Sequence, residues 1–352
     1  MNSIKRVLSL VALAGATLIL SACERPPIES VQNGFRGTGM ASVYNPRTLA
    51  AEAEKNEVPA SIPAAADGPK AGAVYKNVKV LGNLSVAQFT NFMVSMTSWV
   101  APEQGCAYCH NVANFAEEGM YTKTVSRKMI QMTQRINVEW KSHVAETGVT
   151  CYTCHRGNNI PQNVWFTDPA KPQGSGFLSG KNGQNTPSPS VGLSDLPYDP
   201  FTPYLLKAEN IRMNGPTALP TGNKNSIQDT EKVFGLMVHM SKSLGVNCAY
   251  CHNTRSMPEW SQSPPQRMTA WYGIRMARDI NNNYMVPITN VFPAHRLGPE
   301  GDVAKANCAT CHQGAYKPLY GVSMLKDYPF LTGTPAPRAA PKSDEKKTLT
   351  MK

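Results

Sequence analysis

Charge is scarce in this chain of 352 residues: only 17% of positions are Asp, Glu, Lys or Arg. Histidine is rarer, seven in all. Of nine cysteines, eight fall into four closely spaced pairs and only Cys23 stands apart, so there is no disulfide framework to look for. Long apolar runs are missing too. Val7–Leu20 is short and diluted by Ser9, Gly15 and Thr17, which argues against a spanning helix. No dense Lys/Arg run exists outside Lys342–Lys352. Glycine and proline, by contrast, are plentiful, with 26 and 28 residues. Such a composition suits a chain wrapped around large apolar groups that replace part of a side-chain core.

The paired cysteines say which groups. Cys106-Ala-Tyr-Cys109-His110, Cys151-Tyr-Thr-Cys154-His155, Cys248-Ala-Tyr-Cys251-His252 and Cys308-Ala-Thr-Cys311-His312 all read Cys-x-x-Cys-His. This is the attachment signal for c-type haem. Two thiols three positions apart each form a thioether to one porphyrin edge, and the adjacent imidazole takes the iron from one side. A zinc site or a redox dithiol would need no histidine directly after the second cysteine, let alone four times. Four covalently bound haems c are expected. They also answer the formal charge of +11, which would otherwise suggest a nucleic-acid partner. Loss of Lys5 and Arg6 with a leader takes it from +11 to +9, and four haems bring roughly eight negative propionates.

Residues 1–22 read as a secretory signal, with Lys5 and Arg6 ahead of the apolar stretch. Leu20-Ser-Ala-Cys23 resembles a bacterial lipobox, which would make Cys23 a lipid-anchored N-terminus; ordinary cleavage or an uncleaved anchor are the alternatives. Residues 23–70, rich in Pro, Ala and Gly, predict an extended arm. Helices are expected over Ser85–Trp99, with Ser85 and Gln88 as a capping box, and over Thr124–Lys141. Two more are expected from Ser226, paired with Asp229, to a stop at Gly245, and from Ser263-Pro264 to Asn281. Residues 161–225 predict an irregular connection and 332–352 a disordered tail.

The fold class is therefore mainly α with long irregular loops. Cys-Ala-Tyr-Cys-His-Asn occurs at 106–111 and 248–253, and Cys-x-Thr-Cys-His-x-Gly at 151–157 and 308–314. Helix, turn and haem motif recur four times, which predicts two pseudo-symmetric halves, 71–160 and 226–331. Met93-Val-Ser-Met96, Met129-Ile-Gln-Met132 and Met237-Val-His-Met240 precede the first three motifs. One methionine of each pair is expected as sixth iron ligand, against the alternative of simple core filling. Aligning Met276–Asn281 with Met132–Asn137 puts Gly273 where Met129 stands. This favours the first methionine of each pair and leaves the fourth iron to borrow a ligand. Among the three spare histidines, His143 and His295 are comparable candidates on these grounds, and a packed or solvated role is expected of His239.

These motifs together resemble the tetrahaem cytochrome subunit of purple bacterial photosynthetic reaction centres, over residues 23 to about 321. The resemblance implies four axial pairs: Met93 with His110, Met129 with His155, Met237 with His252, and His143 with His312, leaving His295 as runner-up. It implies no enzyme but an electron carrier on the periplasmic face of the photosynthetic inner membrane. A soluble cytochrome c2 or high-potential iron–sulfur protein would supply electrons. Membrane-embedded L/M/H-type subunits with bacteriochlorophyll would hold the special pair that is re-reduced. The sites would lie in the order third, fourth, second, first, counted from the special pair. Glu103, Glu117 and Glu118 beside the first motif either steer a basic donor or are ordinary solvated acids. A nitrite or hydroxylamine enzyme would need an open iron site. A quinol dehydrogenase-type carrier would need a true membrane helix and more histidines. The sequence supplies neither.

Overall fold

The computed structural model describes residues 29–32, 40–61, 64–169, 187–214 and 224–333. The expected leader, Cys23, the tail beyond residue 333 and parts of the 161–225 connection lie outside the described residues. Among the described residues the chain is mainly α, with long irregular stretches. Antiparallel strands β1 (Glu29–Gln32) and β2 (Ala41–Tyr44) form the one small sheet described. Helices α1 (Pro46–Lys55), α2 (Val86–Val100), α3 (Tyr121–Glu139), α4 (Cys151–His155), α5 (Ile227–Leu244), α6 (Gln266–Ile280) and α7 (Cys308–His312) follow. No helix among the described residues is long and apolar enough to cross a membrane.

Local chemistry sets most boundaries where the sequence puts them. The Ser85 hydroxyl accepts from Gln88 N–H at 3.0 Å, and the Gln88 side chain accepts from Ser85 N–H. The capping box at the start of α2 thus satisfies two otherwise orphan donors. Ser226 and Asp229 do the same for α5. That helix ends at Gly245, whose φ of 63° and contact with the Gly314 carbonyl both exclude a side chain. Three boundaries differ from expectation, the first being the start of α3 at Tyr121 rather than Thr124. Helix α3 stops at Glu139, and a separate turn, Lys141–Val144, carries His143. Helix α6 begins at Gln266 rather than beside Ser263. The Ser263 hydroxyl donates to Glu259 O and accepts from Arg267, so it does not cap the helix.

The apolar clusters tie distant parts of the chain together. The first joins Phe92 and Trp99 of α2 and Ile130 of α3 to Leu319, Met324, Tyr328 and Leu331. The second joins Leu236 of α5 and Ile274 of α6 to Trp165, Phe201, Tyr204 and Leu205. A third packs Ile136 and Val149 against Met276 and Ile280. Packing therefore crosses the expected borders at 161 and 226. Part of the 161–225 segment builds the core under α5 and α6, and residues 319–331 close the core under α2 and α3. The arm also departs from the extended reading. It folds into α1, and Asn56 behind it bonds Gln313 O and Leu319 N, while Tyr152 reaches Glu57 O.

Two buried asparagines hold this arrangement. Asn137 accepts from Val149 N–H at 2.8 Å and donates to Val149 O and Leu331 O. Asn281 accepts from Ala306 N–H at 2.8 Å and donates to Ala306 O and Leu205 O. Each pins the residue two positions before a motif cysteine to a segment from the other end of the chain. Asn281→Ala strips three backbone groups of their partner at a fully buried position. It is expected to cost about 1–3 kcal/mol, whereas Asn282→Ala, at an exposed neighbour, should stay within about 0.5 kcal/mol. Thermal unfolding of the two variants checks this. Equal melting temperatures would contradict it.

Candidate functional site

The four Cys-x-x-Cys-His motifs adopt two conformations. The first and third are 3₁₀ turns, Gly105–Tyr108 and Cys248–Tyr250, in which the histidine N–H donates to the first cysteine carbonyl at 3.0 and 2.9 Å. The second and fourth are the one-turn helices α4 and α7. Each begins with a threonine hydroxyl accepting from the backbone N–H ahead of the motif, Thr153 for Thr150 and Thr310 for Asn307, both at 2.9 Å. Each ends in a left-handed residue, Arg156 or Gln313, followed by a positive-φ glycine, Gly157 or Gly314. That is why glycine stands two places after these histidines. Gly157 N–H donates to Trp99 O at the end of α2, and Gly314 N–H to Ser243 O at the end of α5, both at 2.8 Å.

Five histidines, the four of the motifs and His143, are held in the same manner. Nδ1 faces a backbone carbonyl: Phe115 for His110, Asn158 for His155, Met257 for His252, Ala315 for His312 and Thr269 for His143. A carbonyl only accepts, so Nδ1 carries the proton and Nε2 keeps its lone pair. Burial lowers all five pKa values, that of His312 to about 4, so the rings are neutral at physiological pH. The bonded carbonyl is five residues on in the first and third motifs and three on in the second and fourth. His239 differs. Its Nε2 lies 3.2 Å from the Ser243 hydroxyl, it bonds the Ser190 backbone, and its ring abuts Phe201 edge-on at 4.6 Å. The packed role expected for it holds. His295 is exposed on the turn Ala294–Arg296.

His143, one of the two histidines expected as candidates for the fourth iron, lies beside a motif histidine. The ring centres of His143 and His312 are 6.1 Å apart. Two imidazole nitrogens, each about 2 Å from one shared metal ion, put their ring centres about 6 Å apart. Trp140, three residues before His143, donates to Asp279 Oδ2 at 2.8 Å, and Arg135 donates to the same oxygen at 2.9 Å. Arg135 and Asp279 occupy matching positions in the Met132–Asn137 and Met276–Asn281 alignment. That alignment also contained Asn137 and Asn281, whose roles only side-chain geometry reveals.

A cavity of about 1090 Å³ links the sites. It is lined by Met93 and His110, by Met129 and His155, and by His143 and His312, with Cys106, Cys109, Cys151 and Cys308 on its wall. At the third motif the lining comes from Cys251 and Met240, while His252 and Met237 do not line the cavity; Met237 and Met240 both pack against the second core. Burial raises the Cys151 and Cys308 thiols to about 12 and Cys251 to about 11. One feature departs from the sequence reading. Cys154 and Cys311, the second cysteines of two motifs, are joined as a disulfide, with Cα atoms 4.4 Å apart. A sulfur so engaged cannot also form a thioether. The pairing brings α4 and α7 together, and across their contact Gln313 donates to Cys154 O and Arg156 to Cys311 O. Beside the first motif, Glu118 is bridged by Lys79 and Arg127, and these cations with Asn77 hold its carboxyl well below the usual range. Glu117 accepts from Asn111, and Glu103 is exposed. These acids do not make an unopposed negative patch.

Neutral imidazoles with free Nε2 atoms, apolar walls and adjacent thiols fit haem c. Comparison with known proteins agrees. Residues 24–332 match the family model described as photosynthetic reaction centre cytochrome C subunit. The chain is 55% identical over 337 residues to the photosynthetic reaction center cytochrome c subunit of Rubrivivax gelatinosus, covering 95% of this chain and 92% of that one. It is 50% identical over 320 residues to the same-named protein of Thermochromatium tepidum, covering 91% and 79%. With that of Roseobacter denitrificans the identity is 39% over 343 residues, covering 93% and 92%.

Proposed function

The chain belongs to the photosynthetic reaction centre cytochrome c subunit family, and on that premise we propose how its residues serve electron transfer. The protein is the electron-transfer subunit of a photosynthetic reaction centre, carrying covalently bound haem c. It works as a carrier rather than as an enzyme. Bound haem supplies one-electron iron chemistry; the chain's residues set where each iron sits and which redox state it favours.

Four haems would be held through Cys106 and Cys109, Cys151 and Cys154, Cys248 and Cys251, and Cys308 and Cys311. His110, His155, His252 and His312 would each give an imidazole nitrogen to one iron, and Met93, Met129, Met237 and His143 would supply the second protein ligand of each. The observation that carries the scheme is the His143–His312 pair, whose ring centres lie 6.1 Å apart with both Nδ1 atoms tied to carbonyls. In the haem-loaded chain Cys154 and Cys311 would each enter a thioether as a free thiol in place of pairing with each other, and Gln313 and Arg156 would keep α4 and α7 in register.

The matched bonds from Gly157 to Trp99 and from Gly314 to Ser243 support two related halves, each with two haem units. The chain takes electrons from a soluble periplasmic donor, a cytochrome c2 or high-potential iron–sulfur protein, and re-reduces the photo-oxidised bacteriochlorophyll special pair of the membrane subunits. The sites run third, fourth, second, first from the special pair outward. His143, which precedes the second motif yet faces the fourth, fits the neighbouring places of those two. Lipid on Cys23 holds the protein at the periplasmic face of the membrane.

Methionine sulfur favours ferrous iron relative to a second imidazole. His143→Met is therefore expected to raise one of four midpoint potentials in a redox titration. Four unchanged potentials would remove His143 from the ligand set. For the function as a whole, the protein purified from membranes should bring bacteriochlorophyll-bearing subunits with it. A light flash should then oxidise its haems as the special pair recovers. A complex that shows no flash-induced haem oxidation would overturn the assignment.

A further inference from the structure

Gly273 stands in the middle of α6, and its backbone gives no reason for glycine. The helix spans Gln266–Ile280, and Gly273 is not among the positive-φ residues. Glycine is the poorest helix former after proline, so an interior glycine with ordinary dihedrals calls for a steric explanation. The surroundings supply one. A Cβ built on Gly273 would lie 2.6 Å from Cε1 of His143, 2.9 Å from Nδ1 and 3.2 Å from Nε2. The imidazole occupies the volume that any side chain at this position would fill. One helical turn earlier, the Thr269 carbonyl accepts from Nδ1 of the same ring at 2.9 Å. Helix α6 thus receives His143 in a notch made by one missing side chain and orients it through one carbonyl. The third support is Asp279, further along the same helix, which holds Trp140 at the base of the His143 turn.

Alignment gives the notch its meaning. Met132–Asn137 of α3 matches Met276–Asn281 of α6, and the structure supports that register, because Asn137 and Asn281 make the same clamp on Val149 and Ala306. In this register Gly273 falls on Met129. We propose that Gly273 is the specificity-determining residue of the fourth site: by lacking a side chain where α3 carries methionine, it selects a histidine from elsewhere in the chain over a ligand from its own helix. The inference rests on His143 being the ligand opposite His312. It goes further in naming the residue that decides between sulfur and nitrogen there.

A double-mutant cycle on the full-length holoprotein tests it. In the parental background Gly273→Ala pushes the methyl into the imidazole. It should lower the melting temperature and convert part of one haem from low-spin to high-spin in the absorption spectrum. In the His143→Ala background the obstructing ring is gone, and Gly273→Ala should be neutral or stabilising, because alanine is the better helix former. Recovery of mature protein from the double variant alone, with none from G273A, is the extreme form of the same result. The combination His143→Ala with Gly273→Met should restore a six-coordinate low-spin haem with the methionine–iron charge-transfer band and one midpoint above its parental value. If H143A leaves every midpoint in place, the ligand assignment itself fails. If H143A shifts one midpoint while G273A changes the melting temperature equally in both backgrounds, His143 stands as ligand and the role of Gly273 is overturned.

Discussion

The hydrogen bond from an imidazole Nδ1–H to a backbone carbonyl is the interaction on which the rest of this protein depends. It is made at His110, His143, His155, His252 and His312. It decides the tautomer, fixes the plane of the ring and leaves one lone pair directed at a single place. A haem protein that moves electrons without binding substrate needs ligand geometry that does not relax when the iron changes charge. Tying each imidazole to main chain rather than to a mobile side chain provides such stiffness. Burial works in the same direction, keeping the rings neutral and available.

Holding five carbonyls in place requires a scaffold, and the scaffold is interlocked. The segment after the second motif leaves to build the core under α5 and α6, where Asn281 grips Leu205. The segment after the fourth returns to the core under α2 and α3, where Asn137 grips Leu331. Much of the surface of α2, α3 and α6 lines the cavity, so these helices also draw on distant segments for their apolar packing. The buried Arg135–Asp279 pair sits between α3 and α6 and also anchors Trp140, linking the packing of the two helices to the placement of His143. Breaking such a pair on one side would strand the other charge in a poorly solvated place.

Much of this was legible in order along the chain. Cys-x-x-Cys-His announces its cofactor because thioether and axial bonding are local, needing five consecutive residues. Capping boxes at Ser85 and Ser226 and the Gly245 stop are local as well, and the structure keeps them. What misled was local too. Pro, Ala and Gly between 23 and 70, and Pro, Gly and Ser between 161 and 225, suggested arm and linker. Yet Asn56 and the cluster Phe201–Tyr204–Leu205 are buried. Irregular backbone is no obstacle to burial when asparagine side chains satisfy its polar groups.

Sequence alone determined the cofactor chemistry, the repeat and the short list of sixth ligands, because each is written in residue types at fixed spacing. Tertiary structure brings the ring of His143 to within 6.1 Å of that of His312, a nearness that no local spacing announces. It also revealed why Gly273 is glycine. A missing side chain is visible in the sequence, but the imidazole that needs the space comes from 130 residues earlier in the chain, and only folding brings the two together.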